Sequence, residues 1–330
     1  MKIKILGSGS WGTALAYQLF QNGNEVDIWS IMPEQVEQFN KTGENKAFLP
    51  GVILPPQIKM SLSLEGIEDA DWVIISIPSV AVREVAQKIK GKIRPDCILV
   101  NTGKGFCPDN PPLRLSQVIK AELPEHKLIV LSGPSHAEEV GRNLPTVVAV
   151  AGCDETTLRR AQDLFMNENL RVYLNDDIIG VEVGAAVKNV IALGNGIARG
   201  LGMGDNTQAA LLTRGLAEMT RLGVAMGAKP STFAGLTGIG DLVVTCGSLH
   251  SRNLRAGIAI GQGQPWPEVV KNMGMVVEGV YATQNAKVLS ALYNVQMPIT
   301  DQIYEVLTNN KPPREAMYSL MCRDKTAEGL

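Results

Sequence analysis

The residue with the clearest chemical signal is a lysine in an apolar setting. Lys188 lies within Val183-Gly184-Ala185-Ala186-Val187-Lys188-Asn189-Val190-Ile191-Ala192-Leu193, a stretch small or apolar on every side that predicts a buried helix. A buried ammonium is costly unless it is paired or holds its proton weakly, and such a lysine suits proton transfer near neutral pH. The plainer alternative is a side chain that snorkels to the surface. Lys104, in Asn101-Thr102-Gly103-Lys104-Gly105, follows an apolar run and could face a carbonyl oxygen or a phosphate; an ordinary loop lysine is the alternative. Asp241, in Gly235-Leu236-Thr237-Gly238-Ile239-Gly240-Asp241-Leu242, could accept a hydrogen bond from an active-site lysine, or simply end a glycine-rich turn. Ser251-Arg252-Asn253 precedes Leu254-Arg255-Ala256-Gly257-Ile258. A guanidinium fork beside free helix N–H groups makes an anion site, against the alternative of a solvated arginine.

A second pattern concerns phosphate. Lys2–Leu6 alternates as a short strand does, Gly7-Ser8-Gly9-Ser10-Trp11-Gly12 follows, Thr13–Asn22 reads as a helix, and Glu25–Trp29 as a strand. This is strand, GxGxxG, helix, strand, the arrangement that binds a dinucleotide. Gly7 permits the tight turn, Gly9 lets a pyrophosphate approach the backbone, and Gly12 lets helix and strand pack closely. An acidic residue at the end of the second strand would hold the 2′-hydroxyl of NAD and an arginine the 2′-phosphate of NADP. Ser30-Ile31-Met32 stands there instead, so either cofactor remains open.

The elements that must position these residues alternate. Trp72–Ile77, Cys97–Val100, Leu128–Leu131, Thr146–Ala151 and Leu170–Leu174 read as apolar strands, with a helix over Val80–Ile89. Alternation of strand and helix predicts a doubly wound, mostly parallel sheet of the Rossmann kind. Ligands sit at the carboxyl ends of its strands, so Gly9, Pro78, Lys104 and Ser135 are expected along one rim. Beyond residue 177 helical stretches take over: Gly180–Arg199, Gln208–Met226, Pro267–Met273, Gly279–Tyr293 and Ile299–Thr308. The expected domains are a nucleotide-binding domain over 1–177 and an all-α substrate and catalytic domain over 178–330. Asn45–Pro56 and Asp109–Pro112 read as loops.

Composition excludes several function classes. The chain has 330 residues, about two domains' worth. Lys and Arg total 31 against 33 Asp and Glu, a net charge of −2 that argues against a nucleic-acid or membrane-surface partner. No run of about 18 apolar residues predicts a membrane span. The five cysteines are widely spaced without a CxxC, which predicts neither disulfides nor structural zinc and points to a cytoplasmic setting. The start, Met1-Lys2-Ile3-Lys4 running to Ala14-Leu15-Ala16, imitates a signal peptide only superficially, because glycines and serines interrupt it. His126, His136 and His250 are the only histidines, and no metal is expected.

Seven collinear segments give the pattern a family likeness. GSGSWGTALA from Gly7, NTGKG from Asn101, SGPSHAEEV from Ser132, VKNVIALGNGIA from Val187, GLTGIGDLVVTC from Gly235, SRN from Ser251 and VVEGVYAT from Val276 resemble the bacterial-type NAD(P)-dependent glycerol-3-phosphate dehydrogenases. The resemblance implies reversible reduction of dihydroxyacetone phosphate to sn-glycerol 3-phosphate, feeding phospholipid synthesis, with NADH or NADPH. By the same resemblance Lys188 is the proton donor and acceptor at the C2 oxygen, Lys104 touches substrate and cofactor, and Asp241 orients the lysines. Gly133, Ser135, Ser251, Arg252 and Asn253 would hold the substrate. Gly7, Gly9, Ser10, Trp11, Gly12, Lys104, Ala137, Arg252, Val276 and Glu278 would hold the cofactor. A homodimer is expected.

The chemistry is consistent with that likeness. Ketone reduction needs a hydride on carbon and a proton on oxygen, and a lysine pair can stabilise the developing alkoxide without a metal. Two other readings compete. A related two-domain reductase acting on a 2-keto or 3-hydroxy acid would place a carboxylate where the phosphate binds. A non-enzymatic dinucleotide sensor would have no need of Lys188.

Overall fold

The computed structural model describes residues 1–325, 327 and 328. Its first elements follow the alternation of the sequence: β1 (Lys2–Leu6), α1 (Ser10–Gln21), β2 (Glu25–Trp29), α2 (Pro33–Thr42), β3 (Lys59–Ser61), β4 (Trp72–Ile75), α3 (Val82–Ile89) and β5 (Ile98–Asn101). Then come β6 (Phe106–Cys107), β7 (Leu113–Arg114), α4 (Leu115–Glu122), β8 (Leu128–Ser132), α5 (Ala137–Val140), β9 (Thr146–Ala151), α6 (Glu155–Phe165) and β10 (Leu170–Asn175).

Eight of these strands form one sheet in the order β10-β9-β8-β5-β4-β1-β2-β3. From β1 the chain winds outward through β2 to β3, then returns to the other flank for β4 and β5. The order therefore reverses beside β1, which places the Gly7–Gly12 turn at the topological switch point where such sheets bind ligands. All four residues of β4 are buried, as befits a parallel strand covered on both faces. Ile3, Ile5, Ile28, Ile74, Val100 and Leu131 form part of one core with Ala14, Leu15 and Leu19 of α1 and Leu164 and Phe165 of α6. The sheet is not wholly parallel: β8 pairs antiparallel with β9 (Leu131 opposite Val150), while β10 runs parallel to β9. The loop expected over Asp109–Pro112 is the tip of a small antiparallel hairpin, with Phe106 opposite Arg114 and Cys107 opposite Leu113.

The remaining elements are helical: α7 (Ile178–Gly200), α8 (Asp205–Ala225), α9 (Pro230–Phe233), α10 (Asp241–Gly247), α11 (Arg252–Gly261), α12 (Trp266–Asn272), α13 (Glu278–Leu292), α14 (Pro298–Thr308) and α15 (Pro313–Met321). Leu236–Gly240, expected as a turn, is a π-helical turn that runs directly into α10. Helix α7 is long and apolar enough to cross a bilayer, yet it is buried from Gly180 to Ala198 as the core helix of the helical part. It meets α11 through glycines. A Cβ on Gly196 would collide with the Leu254 carbonyl oxygen, on Gly200 with that of Ile258, on Gly257 with that of Leu193, and on Gly261 with that of Ile197. The start of α14 is held from α8: buried Glu218 accepts hydrogen bonds from the Ile299 N–H (2.6 Å), the Thr300 N–H (3.2 Å) and the Thr300 hydroxyl (3.1 Å).

Two compact units result. One comprises Met1–Gly103 and Leu115–Ile178, the other Lys104–Arg114 and Ile179–Leu330. The hairpin that follows β5 thus belongs with the helices. Lys104, expected on the rim of the sheet, is the first residue of that excursion.

Candidate active site

In the helical unit, Lys188 is 4% exposed and Asp241 1%. The Lys188 Nζ donates to Asp241 Oδ1 at 2.8 Å and to Thr245 Oγ1 at 2.6 Å. The Lys104 Nζ donates to the other carboxylate oxygen, Oδ2, also at 2.8 Å. Sequence brings these groups together in separable ways. Lys188 is carried by the apolar helix α7. Asp241 opens α10 where the π-turn ends, and Thr245 stands one turn later on the same helix. The Thr245 hydroxyl donates back to the Asp241 main-chain oxygen at 2.6 Å, so its lone pairs are left to face Lys188. An ammonium has three hydrogens. Two of Lys188's are engaged, and one is left for a ligand oxygen.

The cluster carries two cations and one anion. Burial alone would raise the Asp241 carboxyl's proton affinity, but the Lys104 and Lys188 charges and hydrogen bonds outweigh it and hold its pKa below the ordinary carboxylate range. Burial, helped by the Lys104 charge and opposed by Asp241, lowers the Lys188 pKa to about 8. An ammonium tuned in this way can both give and take a proton near neutrality.

A chain of amides supports the cluster. The Asn189 Nδ2 donates to the Lys104 carbonyl oxygen at 2.9 Å. The Asn253 Nδ2 donates to Asn189 Oδ1 at 2.9 Å, and Asn253 Oδ1 accepts from the Gly279 N–H at 2.9 Å. Asn253, expected to hold substrate, therefore has both ends of its amide engaged inside the protein, with one Nδ2 hydrogen to spare. Ser251 caps α11, its hydroxyl accepting from the Leu254 N–H at 3.2 Å. The exposed Arg252 donates from Nη1 to the Val276 carbonyl oxygen at 3.0 Å, just before Glu278 opens α13. Asn189 and Thr245 were not singled out from sequence. Their positions beside Lys188 and one turn after Asp241 were the available signal.

In the sheet-bearing unit the glycine turn fits a dinucleotide. Gly7 has φ +118°, and a Cβ there would strike the Ser76 carbonyl oxygen. A Cβ on Gly12 would strike the Gly7 carbonyl oxygen, whereas one on Gly9 would meet nothing within 4 Å. Open space thus remains where a pyrophosphate must approach. No side chain caps the N-terminus of α1 and no acidic residue stands in its first turn, which leaves N–H groups and the positive dipole end for phosphate. Ser10 and Trp11 begin that helix; the Ser10 hydroxyl donates to the Phe48 carbonyl oxygen at 2.5 Å. At the end of β2, Ser30 turns inward: its hydroxyl is 2.8 Å from both Ser8 Oγ and Gln35 Oε1, while Ile31 is exposed. The 2′ end of a nucleotide would meet neither a carboxylate nor a guanidinium from residues 30–32. Gly133 and Ser135 follow β8, with the Ser135 hydroxyl donating to the Gly133 carbonyl oxygen at 2.9 Å, and Ala137 opens α5. No cluster of three or more metal-ligating side chains occurs among the described residues.

Comparison with known proteins agrees across the chain. The sequence pattern of the NAD-dependent glycerol-3-phosphate dehydrogenase N-terminus matches residues 2–158, and that of the corresponding C-terminus residues 177–318. The chain is 51% identical over 327 residues to the glycerol-3-phosphate dehydrogenase [NAD(P)+] of Desulfitobacterium hafniense, covering 99% of this chain and 93% of the relative. It is 50% identical over 331 residues to the enzyme of the same name from Bacillus subtilis, covering 99% and 96%. Its fold superposes on the crystal structure of glycerol-3-phosphate dehydrogenase from Coxiella burnetii with a TM-score of 0.94 at 37% identity, covering 98% of this chain and 99% of the other.

Proposed function

Because the chain belongs to the NAD-dependent glycerol-3-phosphate dehydrogenase family, we propose that it reduces dihydroxyacetone phosphate to sn-glycerol 3-phosphate, reversibly, with NADH or NADPH. The observation that carries this reading is the pair of lysines on opposite oxygens of buried Asp241.

When bound, the nicotinamide supplies or accepts the hydride at carbon. The chain's own residues manage the oxygen. The remaining N–H of Lys188 points a proton at the C2 carbonyl, and the ammonium transfers it as the alkoxide develops. Lys104 adds a second positive charge beside that oxygen, which stabilises negative charge most strongly in a water-poor site. Asp241 keeps both lysines in place and offsets one of their charges, leaving a net positive cluster for an anionic substrate. Arg252 and the N-terminus of α11 take the phosphate, with Ser251 and Asn253 fixing that turn. Gly133 and Ser135 contribute to the substrate side. Gly7, Gly9, Ser10, Trp11, Gly12, Ala137, Val276 and Glu278, with Lys104 and Arg252, contribute to the cofactor side. Residues 1–177 serve nucleotide binding and residues 178–330 catalysis, with the 104–114 excursion lending Lys104 to the latter. Product supplied to glycerophospholipid synthesis is the corresponding cellular role.

Five free cysteines, three of them buried, fit a reducing cytoplasm. Exposed Tyr281, Val288 and Leu292 recur on one face of α13 and support a homodimer.

Nicotinamide absorbance with dihydroxyacetone phosphate, run with NADH and NADPH side by side, tests the reading. Rapid oxidation of either supports it. No oxidation of either by protein that binds the cofactor, with turnover of a 2-keto acid instead, would replace it by the carboxylate reductase.

A further inference from the structure

The hairpin from Lys104 to Arg114 is fastened to α7 at both ends. The Lys104 main chain is held by Asn189, as described. At the other end, Arg114 Nη1 donates to Glu182 Oε2 at 2.6 Å, with the Glu182 side chain 2% and the Arg114 side chain 13% exposed. Glu182 and Asn189 are seven residues apart, two turns along one face of α7, or about 10 Å. Between the two ties, Phe106 packs with Val183, Ala186 and Val187, and the Phe106 carbonyl oxygen accepts from Asn285 Nδ2 at 3.3 Å.

A buried ion pair adds little net stability over a well-packed apolar pair of the same shape, but it does specify register. Here the register concerns one reactive group. Phe106 stands opposite Arg114 in the hairpin, and Lys104 lies two residues before Phe106. A slip of the hairpin along α7 would therefore draw the Lys104 ammonium off Asp241. We propose that Glu182 and Arg114 are a positioning pair that fixes the hairpin against α7 and so sets the Lys104 ammonium on the carboxylate it shares with Lys188. The inference rests on the reading of Lys188 and Lys104 as the reacting pair.

A positioning role leaves a mark that a merely structural one does not. The groups that face the Lys188 ammonium are Asp241, Thr245 and Cys246 from α10 and Lys104 from the hairpin. Lys104 is the cation among them, and its charge lowers the proton affinity of Lys188. If Lys104 withdraws, Lys188 holds its proton to higher pH.

The experiment compares Arg114→Gln, Arg114→Lys and Glu182→Gln in the full-length enzyme, with Lys188→Ala as control. Steady-state pH profiles are combined with an NMR titration of the labelled lysine Nζ groups without substrate. Arg114→Gln is expected to lower kcat about 10- to 100-fold, as a small misplacement of a reacting group does. It should also move the Lys188 titration to higher pH, and Arg114→Lys should restore both. A folded Arg114→Gln protein with the parent's titration and kcat would overturn the proposal. If Arg114→Gln does not fold, the double variant Glu182→Gln/Arg114→Gln, which removes both charges, is read by the same two outcomes. Parent-like turnover in Lys188→Ala would instead refute the reading of the lysine pair itself.

Discussion

Gly12 is packed so closely against Gly7 that a Cβ on the first would overlap the carbonyl oxygen of the second. The same turn leaves open space over Gly9. Two alanine substitutions three residues apart should therefore fail in different ways. Gly12→Ala should lower stability by about 1–3 kcal/mol or more through overpacking, seen as a lower Tm. Gly9→Ala should stay within about 0.5 kcal/mol of the parent yet weaken dinucleotide binding at least tenfold, about 1.4 kcal/mol, by calorimetric titration. Equal loss of Tm in both would contradict the assignment of that space to a pyrophosphate.

Lys188→Ala should keep cofactor binding and lose about 10²- to 10⁴-fold in kcat, the usual contribution of a positioned acid or base. The pH dependence has a definite sign. Reduction needs the ammonium, so kcat for dihydroxyacetone phosphate should fall as pH rises through about 8. Oxidation of glycerol 3-phosphate needs the neutral amine, so its kcat should rise through the same range. Profiles that move together in both directions would assign the proton to another group.

Asp241→Asn removes the anion between two ammonium groups that are 2.8 Å from it. Breaking a buried pair in this way costs about 3–5 kcal/mol, and denaturant unfolding should register it. The attraction that opposes burial of Lys188 is lost as well. The descending limb of the reduction profile should accordingly move to lower pH.

Arg252→Ala should act on the phosphate rather than on the fold. The side chain is exposed and donates to a carbonyl oxygen of the loop before α13. Loss of a charged hydrogen bond of about 1.5–3 kcal/mol corresponds to roughly a 10- to 150-fold rise in KM for dihydroxyacetone phosphate. A fall in Tm with KM unchanged would make Arg252 structural.

Glu218 offers a test in acid that is independent of the site. Burial raises its pKa from 4.5 to about 7, against the three hydrogen bonds it accepts from the start of α14. The folded state thus holds a proton that the unfolded chain releases above 4.5. The contribution is fully present below pH 4.5 and is lost as pH rises through about 7, a span of about 3 kcal/mol. The difference in unfolding free energy between the parent and Glu218→Gln should follow that window; a flat difference would show that Glu218 does not titrate there.

Much of this was legible in the residues. The glycine spacing marked the turn after β1, and continuous apolar runs marked β4, β5 and β8. A lysine within a run of small and apolar residues marked Lys188. Three things were not legible, each for a physical reason. An apolar strand reads alike in either direction, so Thr146–Ala151 could not announce that β9 runs antiparallel to β8. The hairpin strands Phe106–Cys107 and Leu113–Arg114 are two residues each, too short for any period to show. Glu182 lies on the same apolar helix as Lys188 and carried the same signal, a charge where water is excluded, but its partner stands 68 positions away in sequence.

The glycine crossing of α7 and α11 also sets a distance. Lys188 lies about 12 Å along α7 from Gly196, and Arg252 about 7 Å along α11 from Gly257. Because the two helices meet main chain to main chain at those glycines, the span between the proposed proton donor and the proposed phosphate grip is gauged by rigid backbone rather than by adjustable side chains. The crossing works as a caliper. A single methyl group added at Gly196, Gly200, Gly257 or Gly261 would open its jaws, and the enzyme would lose its measure of a three-carbon phosphate without any group that touches the substrate having changed.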